Sequence, residues 1–374
     1  MRILLTNLFL YPSKVGGTEH YLYNLLKGIK KNNFSEYITL VINKRLINNY
    51  ELIISHYKSI PLDIRFNRGI YDYFLRFFIN DSKKFDLVFS PNYITSLFFS
   101  KKVKKVTTIH DIQYLHYPEF FSKTKRVWLY ISHLITLNIA DKVVCISESV
   151  KTDLISAFGA KYREKLSVIY NPIDFNRFQN TNKDIKVKVS GNFILSVAAQ
   201  YPHKNLLTLV KAFNKLETKH KLVLVGQLGK NLIGDYTEYF YDLEKEIERN
   251  RDNIILTGYV SNEDLGHLYK TCSLFVFPSI FEGFGMPPVE AMGYGIPTIT
   301  TKCGSLEEVT LGKAIYVSDP EDSNELKTLI EDVIENLALY KDKFLKVKKD
   351  IISIYNPKII SQQYLDLFKK IIDE

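Results

Sequence analysis

Short β-branched runs alternate with amphipathic helical stretches along the whole chain, and the alternation runs through once and then starts again. Strands separated by helices pair in parallel through helical crossovers, the βαβ unit, so the pattern predicts parallel sheets with helices on their faces. In the first half, residues 2–6, 37–42, 87–90, 105–109 and 142–146 read as strands, with 167–169 as a further one. Residues 19–30 and 127–140 carry helical periodicity between them. The second set of strands comprises 192–196, 221–225, 254–256, 274–278, 296–300 and 314–317, with helices at 206–216, 264–271 and 288–294.

The restart predicts an α/β architecture of two Rossmann-like, doubly wound parallel-sheet domains, residues 1–178 and 187–356. The polar, Lys- and Asn-rich stretch 179–190 is the natural linker. The last helix, 361–371, is amphipathic through Tyr364, Leu365, Phe368 and Ile371, and the segment from about 357 to 374 is expected to pack back on the first domain. Ligands of open α/β sheets bind beyond the carboxyl ends of the strands, so a cleft between the two sets of strand ends is the expected place for chemistry.

A length of 374 residues suits two such domains, and 46% hydrophobic with 24% charged residues is ordinary for a soluble globular protein. Cys145, Cys272 and Cys303 are odd in number and scattered, without CxxC or zinc spacing, which reads as a reduced, cytosolic chain holding no structural metal. The N-terminal residues turn polar too soon for a signal peptide and read as a buried first strand. The longest apolar candidate, 127–140, is interrupted by Ser132, His133, Thr136 and Asn138, so it reads as a helix of a soluble fold. The net charge of +9 is uneven: residues 1–180 hold 26 Lys+Arg against 14 Asp+Glu, the remainder 24 against 27. A basic first half suits an anionic partner, whether nucleic acid, an acidic membrane or a phosphorylated acceptor, and equally suits solvated lysines.

The strongest chemical signal is residues 277–297. A buried strand ends at Pro278, a glycine-containing loop follows, and a helix begins near Pro288. Gly283 and Gly285 permit close approach of backbone amides to a ligand, and the helix N-terminus adds partial positive charge. Glu282 in the loop and Glu290 one turn into the helix are positioned to face one pocket, where a carboxylate pairs well with vicinal hydroxyls.

Glu282 and Glu290 have the E-x7-E spacing of the retaining glycosyltransferases with the two-domain GT-B fold, and EGFGMPPVEAM and GIPTITT resemble family 4. The resemblance continues in order through GGTEH (16–20), HDIQYLHYPEFF (110–121), ADKVVCISES (140–149), NPID (171–174), PHKN (202–205), TGYV (257–260) and GSLEEV (304–309), covering nearly the whole chain. It implies that Glu290 holds the ribose of a nucleotide-sugar donor. Glu282, with Gly283 and the amides of Phe284 and Gly285, would hold the transferred sugar. Lys204, beside Asn205, would neutralise the donor diphosphate, Gly16 and Gly17 would close over it, and the Tyr259–Val260 backbone would contact the base. His110 would act catalytically on donor sugar or acceptor, with Asp111 orienting it or meeting the acceptor.

One departure stands out. Family members commonly carry an Arg after the first strand of the second domain to grip the diphosphate with the Lys; this chain has Ala198-Ala199 there, and His203 beside Lys204. Either Lys204 works with fewer cationic partners, or His203 or another basic residue substitutes, and a neutral imidazole supplies no charge unless the diphosphate raises its pKa.

No Asp-x-Asp appears to chelate a metal, and no carboxylate pair flanks an acceptor position as a hydrolase needs. The expectation is therefore a metal-independent, retaining hexosyl transfer without a cofactor. Its donor is a nucleotide sugar, GDP-mannose first and UDP-N-acetylglucosamine or UDP-glucose as alternatives, and its acceptor a saccharide or lipid-diphosphate-linked saccharide of bacterial surface polysaccharide. Basic residues cluster in 101–105 and 120–128, and residues 65–78 interleave Arg65, Arg68 and Arg76 with aromatics, a pattern that suits peripheral attachment to the inner face of the cytoplasmic membrane; aromatics at helical spacing fit a buried core better still. A dehydrogenase is disfavoured because no G-x-G-x-x-G follows strand one. A nucleic-acid binder leaves the Glu282 loop unexplained, and a same-fold epimerase or non-transferring nucleotide-sugar binder differs only in its products.

Overall fold

Ile3, Leu4, Leu5 and Thr6 are all buried, as the central strand of a parallel sheet covered on both faces requires. The computed structural model describes residues 1–8, 16–45, 54–64, 68–79, 84–177, 185–199, 201–226 and 237–374. Within them the chain divides into two compact units. One comprises residues 1–118, 123–173 and 355–374, the other 119–122 and 174–354.

The first unit holds a seven-stranded sheet of β1 (Ile3–Thr6), β2 (Ile38–Asn43), β3 (Lys58–Leu62), β4 (Leu87–Ser90), β5 (Lys104–Ile109), β6 (Lys142–Cys145) and β7 (Leu166–Val168), in the order β3-β2-β1-β4-β5-β6-β7. Every pairing is parallel. β1 and β4 lie side by side although β2 and β3 intervene in sequence, so the winding reverses between them.

The second unit repeats the plan with β8 (Phe193–Val197), β9 (Lys221–Val225), β10 (Ile254–Gly258), β11 (Leu274–Phe277), β12 (Thr298–Thr301) and β13 (Ile315–Val317), ordered β10-β9-β8-β11-β12-β13. Its winding reverses between β8 and β11. Two doubly wound parallel sheets are what the restart of the strand–helix alternation predicts.

The sequence reading missed β3. Lys58-Ser-Ile-Pro-Leu62 is mostly exposed and carries a proline, which a parallel ladder accepts only at an edge, and β3 is an edge strand. The charged helices Thr237–Glu248, Ser323–Glu335 and Leu337–Ile354 also went unread. Residues 179–184 of the expected linker lie outside the described residues; beyond them, the amides of Lys186 and Val187 donate to Asp264 Oδ1 at 2.8 and 3.0 Å.

The C-terminal helix Pro357–Asp373 belongs to the first unit and packs on the helix Gly17–Lys31. Gly28 makes this possible, because a Cβ there would lie 2.0 Å from the Pro357 carbonyl oxygen. The two helices are tied further by Asn32 Nδ2, which donates to Lys358 O and Ser361 Oγ at 2.9 Å each. Tyr364 and Phe368 sit in one core with Tyr21, Leu25 and Phe89. All three cysteines are free, and burial pushes the thiols of Cys145 and Cys272 up. Among the described residues no helix is long and apolar enough to cross a membrane.

Candidate functional site

The loops leaving β8 and β11 adjoin at the reversal point of the second sheet, and the strongest sequence candidates sit on them. The β8 loop ends in a short turn, Pro202–Lys204, and Asn205 then caps the helix Leu206–Asn214 in the left-handed region, φ 55°, which asparagine tolerates better than most residues. The Asn205 side chain fixes three segments: Nδ2 donates to Pro278 O at 3.2 Å and Pro320 O at 2.6 Å, and Oδ1 accepts from Thr208 Oγ1 at 2.6 Å. The two loops are also stitched by Ile280 N and Ser279 Oγ, which donate to His203 O at 2.8 and 2.9 Å.

This scaffold presents Lys204 to the β11 loop. Lys204 Nζ donates to Glu282 Oε1 at 2.5 Å, with the two side chains 17% and 12% exposed. Behind Glu282, Ser305 N and Ser305 Oγ donate to its carbonyl at 3.1 and 3.2 Å. Gly283 is half-buried and Phe284 buried. Gly285 opens the helix Met286–Tyr294 at φ 82°, and a Cβ there would lie 2.5 Å from Leu306 Cδ2, so both conformation and space require glycine. That helix starts at Met286, two residues before the expected Pro288, with Pro287 and Pro288 in the first turn where missing N–H groups cost little.

Glu290 is 5% exposed and engages different partners from Glu282. Arg177 Nη2 donates to its Oε1 at 3.1 Å and Tyr269 OH to its Oε2 at 3.1 Å. Burial pushes the Glu290 carboxyl up from its ordinary range, against the downward pull of Arg177 and the Tyr269 hydroxyl. Each carboxylate oxygen keeps a lone pair, the capacity a vicinal diol needs.

Sequence reasoning missed both Arg177 and Tyr269. Arg177 lies three residues beyond the NPID run, in a cluster that reads as a turn, and only the fold brings it to Glu290. His203 supplies no second cation: burial first and then the neighbouring Lys204 charge push its imidazole down to about 3, so it is neutral at pH 7. Tyr259, 70% exposed, and Val260 follow β10 at the sheet edge.

In the first unit, His110 follows β5 and is held on two sides. Its Nε2 lies 2.9 Å from the Pro91 carbonyl oxygen, and its ring stands edge-on to Tyr21 at 4.8 Å. A carbonyl only accepts, so Nε2 carries the proton and Nδ1 of the neutral ring is an acceptor. Burial lowers the His110 pKa, favouring that neutral form. Tyr21 is fixed in turn by a buried hydroxyl triangle, 2.7 Å to Tyr364 and 3.1 Å to Thr108.

Asp111 is exposed, and its Oδ1 accepts at 3.0 Å from the amide of Gln113, the first residue of the short helix Gln113–His116. Gly16 and Gly17 form the cap and first residue of the helix Gly17–Lys31, where Glu19 Oε2 accepts from Gly16 N at 2.9 Å.

Comparison with known proteins follows the same division. The model for glycosyltransferase family 4 matches residues 15–177, and that for group 1 glycosyl transferases matches residues 178–346. The O-antigen chain mannosyltransferase RfbU of Salmonella typhimurium is 29% identical over 228 residues, covering 60% of this chain and 60% of RfbU. The serotype-specific mannosyltransferase WbdA of Escherichia coli is 28% identical over 256 residues, covering 64% of this chain and 30% of WbdA. The chain therefore aligns with less than two thirds of the length of either relative. The structure of Anabaena HepE in complex with UDP and glucose superposes with a TM-score of 0.76, at 21% identity over 99% of this chain and 100% of HepE, a likeness of fold. Two family models meeting end to end at residues 177 and 178, over two sheets of GT-B order, show that the chain belongs to the group 1, family 4 glycosyltransferases.

Proposed function

We propose that the protein transfers a hexose, with retention of anomeric configuration, from a nucleotide sugar to a saccharide or lipid-linked saccharide in bacterial surface-polysaccharide assembly. The observation carrying this reading is the Lys204–Glu282 pair across the reversal point of the second sheet, with the buried Glu290 on the helix that follows. In it Glu290 holds the ribose diol, and Glu282, with the Gly283–Phe284–Gly285 backbone, holds the sugar hydroxyls. Lys204, partnered by Glu282 in the free protein, turns to the diphosphate as negative charge develops on the leaving group. The acceptor hydroxyl attacks on the face the diphosphate leaves, and the leaving phosphate takes the proton. His110, through its Nδ1 lone pair, accepts a hydrogen bond from a sugar hydroxyl and holds it in place. Asp111 flanks the acceptor, Gly16 and Gly17 approach the diphosphate, and Tyr259 and Val260 border the base.

GDP-mannose is the first donor, on the strength of two similar proteins named as mannosyltransferases. A UDP-sugar is the second reading, favoured by the HepE complex with UDP and glucose. The donor charge is met by the Lys204 side chain and backbone amides, so the reading includes no metal requirement. The absence of an apolar spanning helix among the described residues suits a protein on the cytoplasmic side, attached peripherally to the membrane where lipid-linked acceptors lie.

The test is thermal-shift titration of the full chain with GDP, UDP and their sugars, since a ligand of the native state raises the melting temperature. Transfer assays with mannose, glucose and N-acetylglucosamine donors follow. Indifference to every nucleotide would overturn the reading. Loss of turnover in EDTA, restored by magnesium, would overturn its metal-independent part.

A further inference from the structure

In the first unit, the short helix Arg68–Tyr73 runs into the turn Leu75–Phe78, and the chain returns beside it at residues 92–99. Leu97 N donates to Tyr73 O at 2.8 Å, which locks the two segments together. The lock brings three phenylalanines into one cluster. Phe74 and Phe98 stack at 5.3 Å, Phe77 and Phe98 lie 5.4 Å apart, and Phe74 and Phe77 6.4 Å. These rings face water: Phe74, Phe77 and Phe98 are 39%, 67% and 57% exposed, and Ile70 beside them 52%. The spacing of this segment fits a core helix, but the structure turns its largest side chains outward.

Phe98 adds a second, independent observation. Its backbone sits at φ 62°, in the left-handed region that a bulky side chain rarely adopts. The ring which that conformation presents is more than half exposed. Strain of this kind is usually kept where a surface has a use.

The surroundings indicate the partner. Residues 69–79 and 92–104 carry four basic side chains (Arg76, Lys101, Lys102 and Lys104), none of them buried, against one acid, Asp72, which is buried. Exposed aromatic rings on segments that also carry an excess of cations suit the headgroup layer of an anionic bilayer, where rings enter the interface and lysines and arginines meet lipid phosphates.

We propose that Phe74, Phe77 and Phe98 form a membrane-insertion patch by which the first unit docks on an anionic lipid bilayer. This deepens the proposed peripheral attachment and rests on it, but not on the identity of the donor.

The test is co-sedimentation of the full chain with vesicles of phosphatidylcholine alone and with phosphatidylglycerol mixed in. The parent should bind the anionic vesicles, and Phe77→Ser and Phe98→Ser should each weaken binding on the order of tenfold, the scale of withdrawing one ring from an apolar phase. Leu339→Ser, which truncates a side chain 69% exposed on the second unit, should bind like the parent. Phe98→Gly separates insertion from folding: it relieves the left-handed strain, so its melting temperature should hold or rise while vesicle binding falls. Binding of the parent that all patch variants retain overturns the patch and leaves peripheral attachment standing. A parent that ignores anionic vesicles overturns both, and the donor titrations then stand separately. Loss of concentration-dependent self-association in the patch variants, without change in vesicle binding, would assign the patch to a second copy of the chain and overturn the proposal.

Discussion

Arg177 and Glu290, 113 positions apart in sequence, meet at 3.1 Å with side chains only 7% and 6% exposed. A buried ion pair contributes little net stability over an apolar pair of the same shape, but losing one member strands the other charge. Arg177→Met should therefore destabilise the second unit by about 3–5 kcal/mol, seen as a lower midpoint in chemical denaturation. The double variant Arg177→Met/Glu290→Gln should recover part of that loss, because no charge is left stranded. A single Arg177→Met variant as stable as the parent would show that the pair does not hold Glu290 in place.

The two glutamates separate binding from turnover. Glu290 is built into the unit by Arg177 and Tyr269, whereas the Glu282 carboxylate is held by Lys204, which the proposed chemistry also needs. Glu290→Ala should weaken nucleoside diphosphate affinity about tenfold or more, the loss of charge-assisted bonds to a diol. Glu282→Ala should bind nucleoside diphosphate within a few-fold of the parent but turn over far more slowly. Calorimetry for affinity and single-turnover rates for transfer distinguish the two, and equal effects in both assays would remove the assigned division of labour.

Lys204 presents its ammonium at the reversal point, where burial keeps the neighbouring His203 neutral. Lys204→Met should lower kcat about 10²–10³-fold, the range for removing one preorganised group that meets developing negative charge. Lys204→Arg should rescue only in part, because a planar fork does not reproduce a point charge 2.5 Å from one carboxylate oxygen. Steady-state kinetics with the cognate donor decide it: an unimpaired Lys204→Met would move the diphosphate contact elsewhere.

Much of this was legible in the chain, and for physical reasons. Buried parallel strands are short apolar runs, so β5, β8 and β11 stand out, and His110, Lys204 and Glu282 lie on the loops that follow β5, β8 and β11 respectively. β3 was hidden because an edge strand bears no apolar signature and tolerates Pro61. The Arg177–Glu290–Tyr269 cluster was hidden for a different reason. Its members come from a post-strand turn and two helices, and no local spacing encodes a contact that only tertiary packing creates. Residues 68–79 misled in the other direction, since helical spacing of aromatics reads as a core face and the fold exposes Phe74 and Phe77.

His203 gives the protein a predictable acid weakness. Its imidazole is 7% exposed and stacks on Tyr201 at 5.6 Å, while burial and Lys204 push its pKa from 6.5 down to about 3. Between those values the unfolded chain binds a proton that the folded chain refuses. Stability from this group is thus complete above pH 6.5 and is lost progressively as the pH falls toward 3. From pH 6.5 to pH 5 the loss comes to about 2 kcal/mol at most. His203→Phe keeps a ring against Tyr201 and leaves the His203 carbonyl bonds to Ile280 and Ser279 intact, because those are made by the backbone. Its denaturation free energy should consequently fall by about 2 kcal/mol less than the parent's between pH 7 and pH 5. Parallel pH dependence in the two proteins would mean that His203 takes up its proton in the folded state at ordinary pH, and it would restore His203 as the second cation beside Lys204.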